Sequence, residues 1–319
     1  MSERTIVVTG AAGFIASHLS EALVARGDRV IGIDNFDPYY DPAIKRRNIE
    51  GLLKGDRFRL IESDIRDPEA VSLAFADAPV SGVVHLAARA GVRPSIEQPV
   101  DYCTTNVEGT AVLLEAAREA GVPRFVFGSS SSVYGAANEV PFDEDQRIDR
   151  PISPYAATKV AGEAMCYTWH HLYDMPIVVL RFFTVFGPRQ RPDLAINKFV
   201  RLLEAGEPIQ QFGDGSSSRD YTFAGDIVRG IIAALDSDLQ YDIINLGGSS
   251  PVTLSELIAA VAEAVGVEPQ IEVLPDQPGD VPRTYASVEK ARRLLGWQAQ
   301  ISLAEGLRQF VTWHREQQV

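Results

Sequence analysis

The chain has 319 residues, of which 45% are hydrophobic and 23% charged, a balance typical of a globular protein with one or two domains. Its formal net charge is −13 and no lysine- or arginine-rich run occurs, which argues against a nucleic-acid-binding protein. Two cysteines argue against a disulfide scaffold, and the five scattered histidines show no metal-ligand spacing, so we expect no metal site.

The N-terminus, MSERTIVVTG, lacks the charged and apolar regions of a signal peptide. No apolar run reaches the roughly 20 residues that a membrane-spanning helix needs. We therefore expect a soluble, cytoplasmic protein without a membrane partner.

Short apolar runs alternate with helix-like segments along the first 180 residues. The runs begin at Thr5, Arg29, Arg57, Gly82, Arg124 and Pro176. The helix-like segments lie near residues 14–26, 68–77, 100–120 and 155–173. Continuous apolar strands joined by helices are typical of an α/β protein with a doubly wound parallel sheet, the Rossmann architecture.

After about residue 183 the alternation ends and loops rich in glycine, proline and serine appear. Helices are predicted there near residues 224–236, 253–265 and 302–318. We predict a Rossmann domain over residues 1–180 and a smaller, mainly substrate-binding α/β domain over 181–319, with a segment at about 222–248 returning to the first domain. Because ligands of open α/β sheets bind at the carboxyl ends of the strands, we expect the site there.

A glycine turn follows the first strand in the stretch VTGAAGFIASHL. Gly10 and Gly13 suit a tight turn into a helix, whose free N–H groups and dipole favour a pyrophosphate. Asp34 ends the second strand, where a carboxylate can accept both ribose hydroxyls and repel a 2′-phosphate. With their neighbours Phe14, Ile15 and Asn35, these residues predict an NAD site. The alternative is an ordinary strand-to-helix turn followed by a surface aspartate.

Two further strand ends provide candidate cofactor contacts. Asp64 and Ile65 follow the third strand and are predicted to frame the adenine. Leu86, Ala87 and Ala88 follow the fourth strand, where small side chains let the dinucleotide pass. Taken alone, neither segment differs from an ordinary strand end.

The stretch SPYAATK sets Tyr155 and Lys159 four residues apart, which is one face of a helix. A neighbouring ammonium favours the phenolate, so we expect the phenol to act as a base near neutral pH. Serines 129 to 132 end the fifth strand at the same sheet edge, where a hydroxyl can relay a proton to the tyrosine. A solvated helix face is the alternative for the Tyr–Lys pair alone.

Several motifs together identify a family. TGAAGFIASHL, DNF, HLAARAGVRPS, NVEGT, SSSSVYG, YAATK, RFFTVFGP and RDYTF span nearly the whole chain. In these motifs the chain resembles the extended short-chain dehydrogenases/reductases that act on nucleotide sugars, and it is most similar to UDP-glucuronate 4-epimerases. The resemblance implies a UDP-sugar substrate (UDP-glucuronate or UDP-galacturonate), a retained NAD and a homodimer formed by the helices near 100–120 and 155–173.

The resemblance also implies roles for individual residues. Ser130 is the expected catalytic partner of Tyr155 and Lys159, with Asn106 near the site. Thr184 and Arg191 are expected at the sugar carboxylate, and Arg219 at the diphosphate. The remaining candidate substrate-binding residues are Arg89, Ser129, Ser131 and Arg283. Arg89 stands where glucuronate epimerases usually carry an uncharged residue, and Arg189 leaves open which arginine meets the carboxylate.

Three rival functions remain open. A UDP-glucose or UDP-N-acetylglucosamine 4-epimerase would share every cofactor residue. A UDP-sugar decarboxylase or dehydratase is disfavoured because Ser131 and Ser132 stand where those relatives carry a carboxylate. A non-catalytic NAD-binding sensor is disfavoured by the presence of Tyr155.

Overall fold

The structure is a computed structural model that describes residues 4–76, 78–136, 138–275 and 282–317. Its strands are β1 (Thr5–Thr9), β2 (Arg29–Asp34), β3 (Phe58–Glu62), β4 (Gly82–His85), β5 (Phe125–Ser130), β6 (Ile177–Phe182), β7 (Thr184–Phe186), β8 (Ile209–Phe212), β9 (Ser218–Phe223), β10 (Tyr241–Leu246), β11 (Pro251–Thr253) and β12 (Ile271–Leu274).

Helices connect most of these strands. They are α1 (Phe14–Arg26), α2 (Pro42–Leu53), α3 (Pro68–Ser72), α4 (Val92–Glu97), α5 (Pro99–Cys103), α6 (Gly109–Glu119), α7 (Pro154–Tyr173), α8 (Ala195–Ala205), α9 (Ala224–Asp236), α10 (Leu254–Val265), α11 (Glu289–Leu295) and α12 (Leu303–Glu316). A π-helical turn, Thr104–Glu108, joins α5 to α6, and a 3-10 turn, Ser131–Tyr134, follows β5.

Within the described ranges, seven parallel strands form one sheet in the order β10-β6-β5-β4-β1-β2-β3. The central strand β1 is apolar on both faces, with Ile6, Val7 and Val8 fully buried. Such strands need cover on both sides, and separate cores form against α1, α2 and α9 on one face and against α3, α6 and α7 on the other. The predicted doubly wound parallel sheet is confirmed.

A second group of elements follows β6. The short strands β11, β9 and β7 form a three-stranded sheet, and β12 pairs with β8. A separate apolar core joins α8, α10 and α12. The last strand of the large sheet, β10, comes from residues 241–246, within the segment that we expected to return. The predicted boundary at residue 180 falls inside β6, and the division into two domains stays a prediction.

The predicted helices differ from the observed ones in several places. The predicted helix over 100–120 is interrupted by the π-helical turn at Thr104–Glu108, where the hydrogen bonds join residues i and i+5. The predicted segment 68–77 is helical only at Pro68–Ser72, and its last residue, 77, lies outside the described residues, as does residue 318 of the last predicted helix. Helices α2, α4, α8 and α11 lie in stretches for which no helix was predicted.

Helix α7 begins with strong local signals. The Ser153 side chain caps its N-terminus by accepting a hydrogen bond from the backbone N–H of Ala156 at 3.1 Å. Pro154 occupies the first helical position, where its missing N–H is not needed. Tyr155 therefore sits in the first turn and Lys159 one turn further along the same face.

No helix in the described ranges combines the length and the apolar character that a bilayer crossing requires.

Candidate active site

The carboxyl ends of β1, β2, β4, β5 and β6 surround a cavity of about 500 Å³. All the predicted cofactor-binding residues line it, namely Gly10, Gly13, Phe14, Ile15, Asp34, Asn35, Asp64, Ile65, Leu86, Ala87, Ala88, Tyr155 and Lys159. Five predicted substrate-binding residues line the same cavity, namely Arg89, Ser129, Ser130, Thr184 and Arg191. The structure thus brings the two predicted sets together.

A smaller cavity of about 140 Å³ adjoins the first and shares Val92, Ser132 and Thr184 with it. Ser131 and Arg219 line this second cavity. Arg283 lines neither cavity as described. Its backbone pairs with Ser218 and its guanidinium lies over the ring of Tyr285 at 6.0 Å.

The glycine turn is built for close approach of a ligand to the backbone. Gly10 has φ +68°, and a Cβ there would lie 3.0 Å from the backbone of Ala87. Gly13 caps α1 without a side-chain hydrogen bond, so the first-turn N–H groups face the cavity uncovered by a cap. An uncapped helix N-terminus at a cavity suits an anion such as a pyrophosphate.

Asp34 lies at the end of β2 with its carboxylate held by two backbone N–H groups. Ala12 donates at 3.0 Å and Phe36 at 2.8 Å. Burial raises the pKa of Asp34, whereas the hydrogen bond from Phe36 and the charge of Lys45 act to lower it. Each carboxylate oxygen keeps a lone pair for a further donor, which fits a ribose diol.

Tyr155 and Lys159 face the cavity from α7. The Ser130 side chain is near enough to the Tyr155 phenol to lower its pKa, and its hydroxyl donates to Ser132 at 3.1 Å. The Lys159 ammonium donates to the carbonyl of Gly128 at 2.7 Å. Burial lowers the pKa of Lys159 to about 8. A serine, a tyrosine and a lysine in this arrangement can take a proton from a substrate hydroxyl and return it.

The expected electrostatics of Tyr155 need a correction. Burial raises the pKa of Tyr155 above its ordinary value, while the neighbouring Ser130 hydroxyl and the charge of Arg191 act to lower it. Lys159 instead directs its ammonium at the Gly128 carbonyl. The groups that favour the Tyr155 phenolate against burial are therefore Ser130 and Arg191, and not Lys159 as the helix spacing indicated.

A buried ion pair lies one turn beyond Lys159 on α7. The guanidinium of Arg181 on β6 donates to both carboxylate oxygens of Glu163, at 2.7 and 3.0 Å, and both side chains are almost fully buried. Arg181 also donates to the hydroxyl of Tyr134 at 2.9 Å. The Ser129 hydroxyl donates to Glu163, so this predicted substrate-binding residue is committed to the network under the site.

A second buried chain of hydrogen bonds starts beside the glycine turn. The hydroxyl oxygen of Thr9 accepts the backbone N–H groups of Leu86 and Ala87, both at 3.1 Å. Its own proton is therefore donated to Nδ1 of His85, 2.7 Å away. The proton of His85 then lies on Nε2, which donates to Thr110 at 3.0 Å. Burial lowers the pKa of His85 to about 3, consistent with a neutral ring.

This chain continues to the catalytic helix through Asn106, in the π-helical turn. Thr110 donates to the Asn106 carbonyl at 2.6 Å. The Asn106 side chain accepts from the N–H of Arg89 and donates to its carbonyl and to the Thr158 hydroxyl, at 2.8, 2.9 and 3.0 Å. Thr158 donates to the carbonyl of Tyr155 at 2.8 Å. Asn106 thus ties the loop after β4 to the turn that carries Tyr155.

The structure distinguishes Arg189 from Arg191, the two arginines between which the sequence could not decide for the sugar carboxylate. Arg191 lines the cavity, donates to both oxygens of Asp193 at 3.0 and 2.8 Å and lies 5.0 Å from the ring of Tyr39. Arg189 instead donates to Glu21 on α1 at 2.6 Å and is absent from the described cavity lining. Of the two, only Arg191 is near enough to influence the pKa of Tyr155.

Sequence reasoning assigned no site role to a group of residues on the loop after β2 and in the first turn of α2. Asp37, Tyr39, Tyr40 and Lys45 all line the cavity. The ammonium of Lys45 donates to the carbonyl of Asp37 at 2.8 Å and lies over the ring of Tyr40. The available signal was the tyrosine pair Tyr39–Tyr40, a few residues after the acid that ends the second strand. No group of three potential metal-ligating side chains occurs in the part of the chain that is described.

The fold and the Tyr155–Lys159 pair at its cavity define an extended short-chain dehydrogenase/reductase. The family model described as GDP-mannose 4,6 dehydratase matches residues 7–310, nearly the whole chain, and the protein belongs to this family. The resemblance to nucleotide-sugar epimerases is confirmed by the relatives. A UDP-glucuronate 4-epimerase of Thermodesulfobacterium geofontis (strain OPF15) is 42% identical over 311 residues, covering 97% of this chain and 96% of the relative.

Solved structures agree with this assignment. The UDP-glucuronic acid 4-epimerase from Bacillus cereus, in complex with UDP-glucuronic acid and NAD, superposes with a TM-score of 0.92 at 36% identity, over 98% of this chain and 99% of the other. A UDP-glucose 4-epimerase from Thermotoga maritima, with UDP-glucose, gives a TM-score of 0.91 at 32% identity, over 99% and 100% of the two chains.

Proposed function

We propose that this protein is an NAD-dependent UDP-glucuronate 4-epimerase that interconverts UDP-glucuronate and UDP-galacturonate through a transient 4-keto sugar. The observation that carries the proposal is one cavity in which Ser130, the Tyr155 phenol and the Arg191 guanidinium adjoin a dinucleotide-type glycine turn. Relatives that act on UDP-glucuronate, similar over almost their entire length, support the same reading.

The residues of the cavity fit NAD. Gly10 leaves room at the backbone, the N-terminus of α1 suits the pyrophosphate and the Asp34 carboxylate suits the ribose diol. The same carboxylate would repel the 2′-phosphate of NADP. When bound, NAD+ supplies a hydride acceptor at carbon 4 of the sugar and returns the hydride to either face of the ketone.

The protein's own groups handle the proton. Tyr155, as its phenolate, takes the proton of the sugar 4-hydroxyl while the neighbouring Ser130 hydroxyl hydrogen-bonds the same sugar oxygen. Tyr155 gives the proton back once the ketone has turned over in the cavity. Lys159 adds positive charge near the site and holds the end of β5 through Gly128. The sugar leaves with no net redox change, so no second substrate is needed.

Substrate choice follows from charge. A uronate adds a carboxylate to the diphosphate, and arginine binds carboxylates with two parallel hydrogen bonds. Arg191 and Thr184 are the groups we assign to this carboxylate, with Ser131 and Arg219 as further candidate contacts to the nucleotide sugar. The 4-keto uronate is prone to lose CO₂, and a firm hold on its carboxylate opposes that loss. Ser131 and Ser132 provide no carboxylate for a dehydratase or decarboxylase step.

NMR spectroscopy of the product formed from UDP-glucuronate, without added NAD, tests the proposal. We expect UDP-galacturonate to appear at equilibrium, because a retained cofactor cycles without net oxidation. A UDP-glucose 4-epimerase is the second candidate, favoured by the structural similarity to the Thermotoga maritima enzyme. Turnover of UDP-glucose alone would establish it, and release of CO₂ or of a stable keto-sugar would indicate a decarboxylase or dehydratase.

The role of Arg191 has a matched control in Arg189, two residues away. We expect Arg191→Met to raise KM for UDP-glucuronate about 10- to 100-fold, since hydrogen bonds to charged groups contribute about 1.5–3 kcal/mol. Arg189→Met, which removes a pair with Glu21 on α1, should leave that KM nearly unchanged. An equal effect of both variants would contradict the assignment.

A homodimer is the assembly we propose, through α5–α6 and α7. Large apolar side chains on these helices are exposed in the single chain, namely Val100, Tyr167, Leu172 and Tyr173. A stable interface would cover such a surface. Light scattering that gives the 34.8 kDa mass of one chain would contradict it. The expected cytoplasmic location stays a prediction.

A further inference from the structure

Arg89 lines the cavity, but its guanidinium is hydrogen-bonded to neighbouring side chains of the protein. It donates to Gln98 at 2.7 Å, to Asp101 at 3.1 Å and to Asp37 at 3.1 Å. Its side chain is only 18% exposed. Both terminal nitrogens of the guanidinium are therefore already directed at partners, and a substrate contact through either of them would compete with these bonds.

The partner Asp37 is itself fixed in place. One of its carboxylate oxygens accepts the N–H of Tyr39 at 2.9 Å, and the other accepts the Arg89 bond. Its carbonyl accepts from the ammonium of Lys45 at 2.8 Å. On the other side, Asn106 holds both the N–H and the carbonyl of Arg89. Both ends of the Arg89–Asp37 pair are therefore anchored to the fold.

The sheet order places the Arg89–Asp37 ion pair across the glycine turn. Strand β1 lies between β4 and β2, so the glycine turn at Gly10 lies between the loop that carries Arg89 and the loop that carries Asp37. All three segments line the cavity. The pair thus joins the two walls on either side of the turn on which the dinucleotide is proposed to lie.

We propose that the Arg89–Asp37 ion pair is a strap that closes the dinucleotide into its cavity and slows its release, rather than a substrate contact. This inference rests on the proposed NAD site. It has a chemical purpose in the proposed reaction, because a cofactor that is oxidised and reduced within one turnover must not leave between the two steps. Entry and exit of NAD would require the pair to open, which salt favours by screening the charges.

The test is the rate at which bound NAD is released. Purified protein is loaded with tritium-labelled NAD and chased with excess unlabelled NAD, without any sugar nucleotide, at low and at high salt. We expect Arg89→Gln and Asp37→Asn each to release NAD about tenfold faster than the unsubstituted protein, a change that corresponds to about 1.4 kcal/mol. The double variant should be no faster than either single one, because both remove the same interaction.

Arg4→Gln is the matched control. Arg4 pairs with Asp236 at 2.6 Å beside the opposite, amino-terminal end of β1, so its loss should leave NAD release unchanged. High salt should speed release from the unsubstituted protein and have little effect on Arg89→Gln. Thermal unfolding of each variant verifies that it is folded.

Two results would overturn the strap. One is an unchanged release rate in both Arg89→Gln and Asp37→Asn. The other is faster release in Arg89→Gln alone, which would mean that Arg89 contacts the cofactor directly. Protein that takes up no NAD at all would instead refute the proposed function, so the two failures are distinguishable.

Discussion

The buried Glu163–Arg181 pair predicts a large and specific loss of stability. The two side chains are 3% and 2% exposed, and Arg181 donates to both oxygens of Glu163. Glu163→Gln keeps the shape but leaves a buried guanidinium without a counter-charge. Removing one partner of a buried pair costs about 3–5 kcal/mol. The amide would also present N–H groups to the Ser129 hydroxyl or to Arg181, which are donors.

This loss of unfolding free energy can be expressed as a decrease in melting temperature. Unfolding entropy is about 2.1 cal/mol/K per residue, so a chain of 319 residues has roughly 0.7 kcal/mol/K and Glu163→Gln should melt about 4–8 °C lower. Circular dichroism or calorimetry measures this. Glu119→Gln is the control, because that carboxylate is 68% exposed and lies 3.6 Å from its arginine, and it should shift melting by less than about 1 °C.

A double-variant cycle separates the pair from general packing. Arg181→Met alone leaves a buried carboxylate, whereas Glu163→Gln with Arg181→Met leaves no unpaired charge. We expect the double variant to be clearly more stable than the sum of the two single losses implies. Additive losses, or a Glu163→Gln protein that melts with the unsubstituted one, would refute the reasoning.

Three further predictions concern the site. Tyr155→Phe should lower kcat about 100- to 10,000-fold while bound NAD is retained, measured by product NMR and by cofactor content; undiminished turnover would exclude the phenol as base. Burial lowers the pKa of Lys159 to about 8, so between pH 8 and the ordinary lysine pKa the unfolded chain binds more protons than the native protein. Unfolding measured across that pH range should therefore find the unsubstituted protein gaining stability with rising pH relative to Lys159→Met. The same pH dependence of stability in both proteins would contradict this prediction. Gly10→Ala should weaken NAD binding in a titration, because its Cβ meets the Ala87 backbone, whereas Gly121→Ala has a similar φ of +63° with open space around it and should lose only about 1–2 kcal/mol of stability; equal NAD affinity in both would contradict the steric argument.

Local patterns were enough for the sheet and for most of the cavity. Strands buried on both faces leave continuous apolar runs such as TIVVTG, and a parallel sheet brings the ends of all its strands to one edge. Residues at those ends, from Gly10 and Asp34 to Tyr155, could therefore be grouped from the chain order alone. The i, i+4 spacing likewise placed Lys159 beside Tyr155 before any coordinates were considered.

The partners of the charged side chains depended on the folded chain. Arg89 meets Asp37, and Arg181 meets Glu163, because strands and helices far apart in sequence become neighbours, and no local periodicity encodes which neighbour supplies the counter-charge. The same holds for the Tyr155 pKa, which reflects burial, Ser130 at the end of β5 and the distant Arg191 more than the adjacent turn of α7. Backbone pattern is a short-range property of the chain, whereas desolvation and ion pairing are set by what packs around a group in three dimensions.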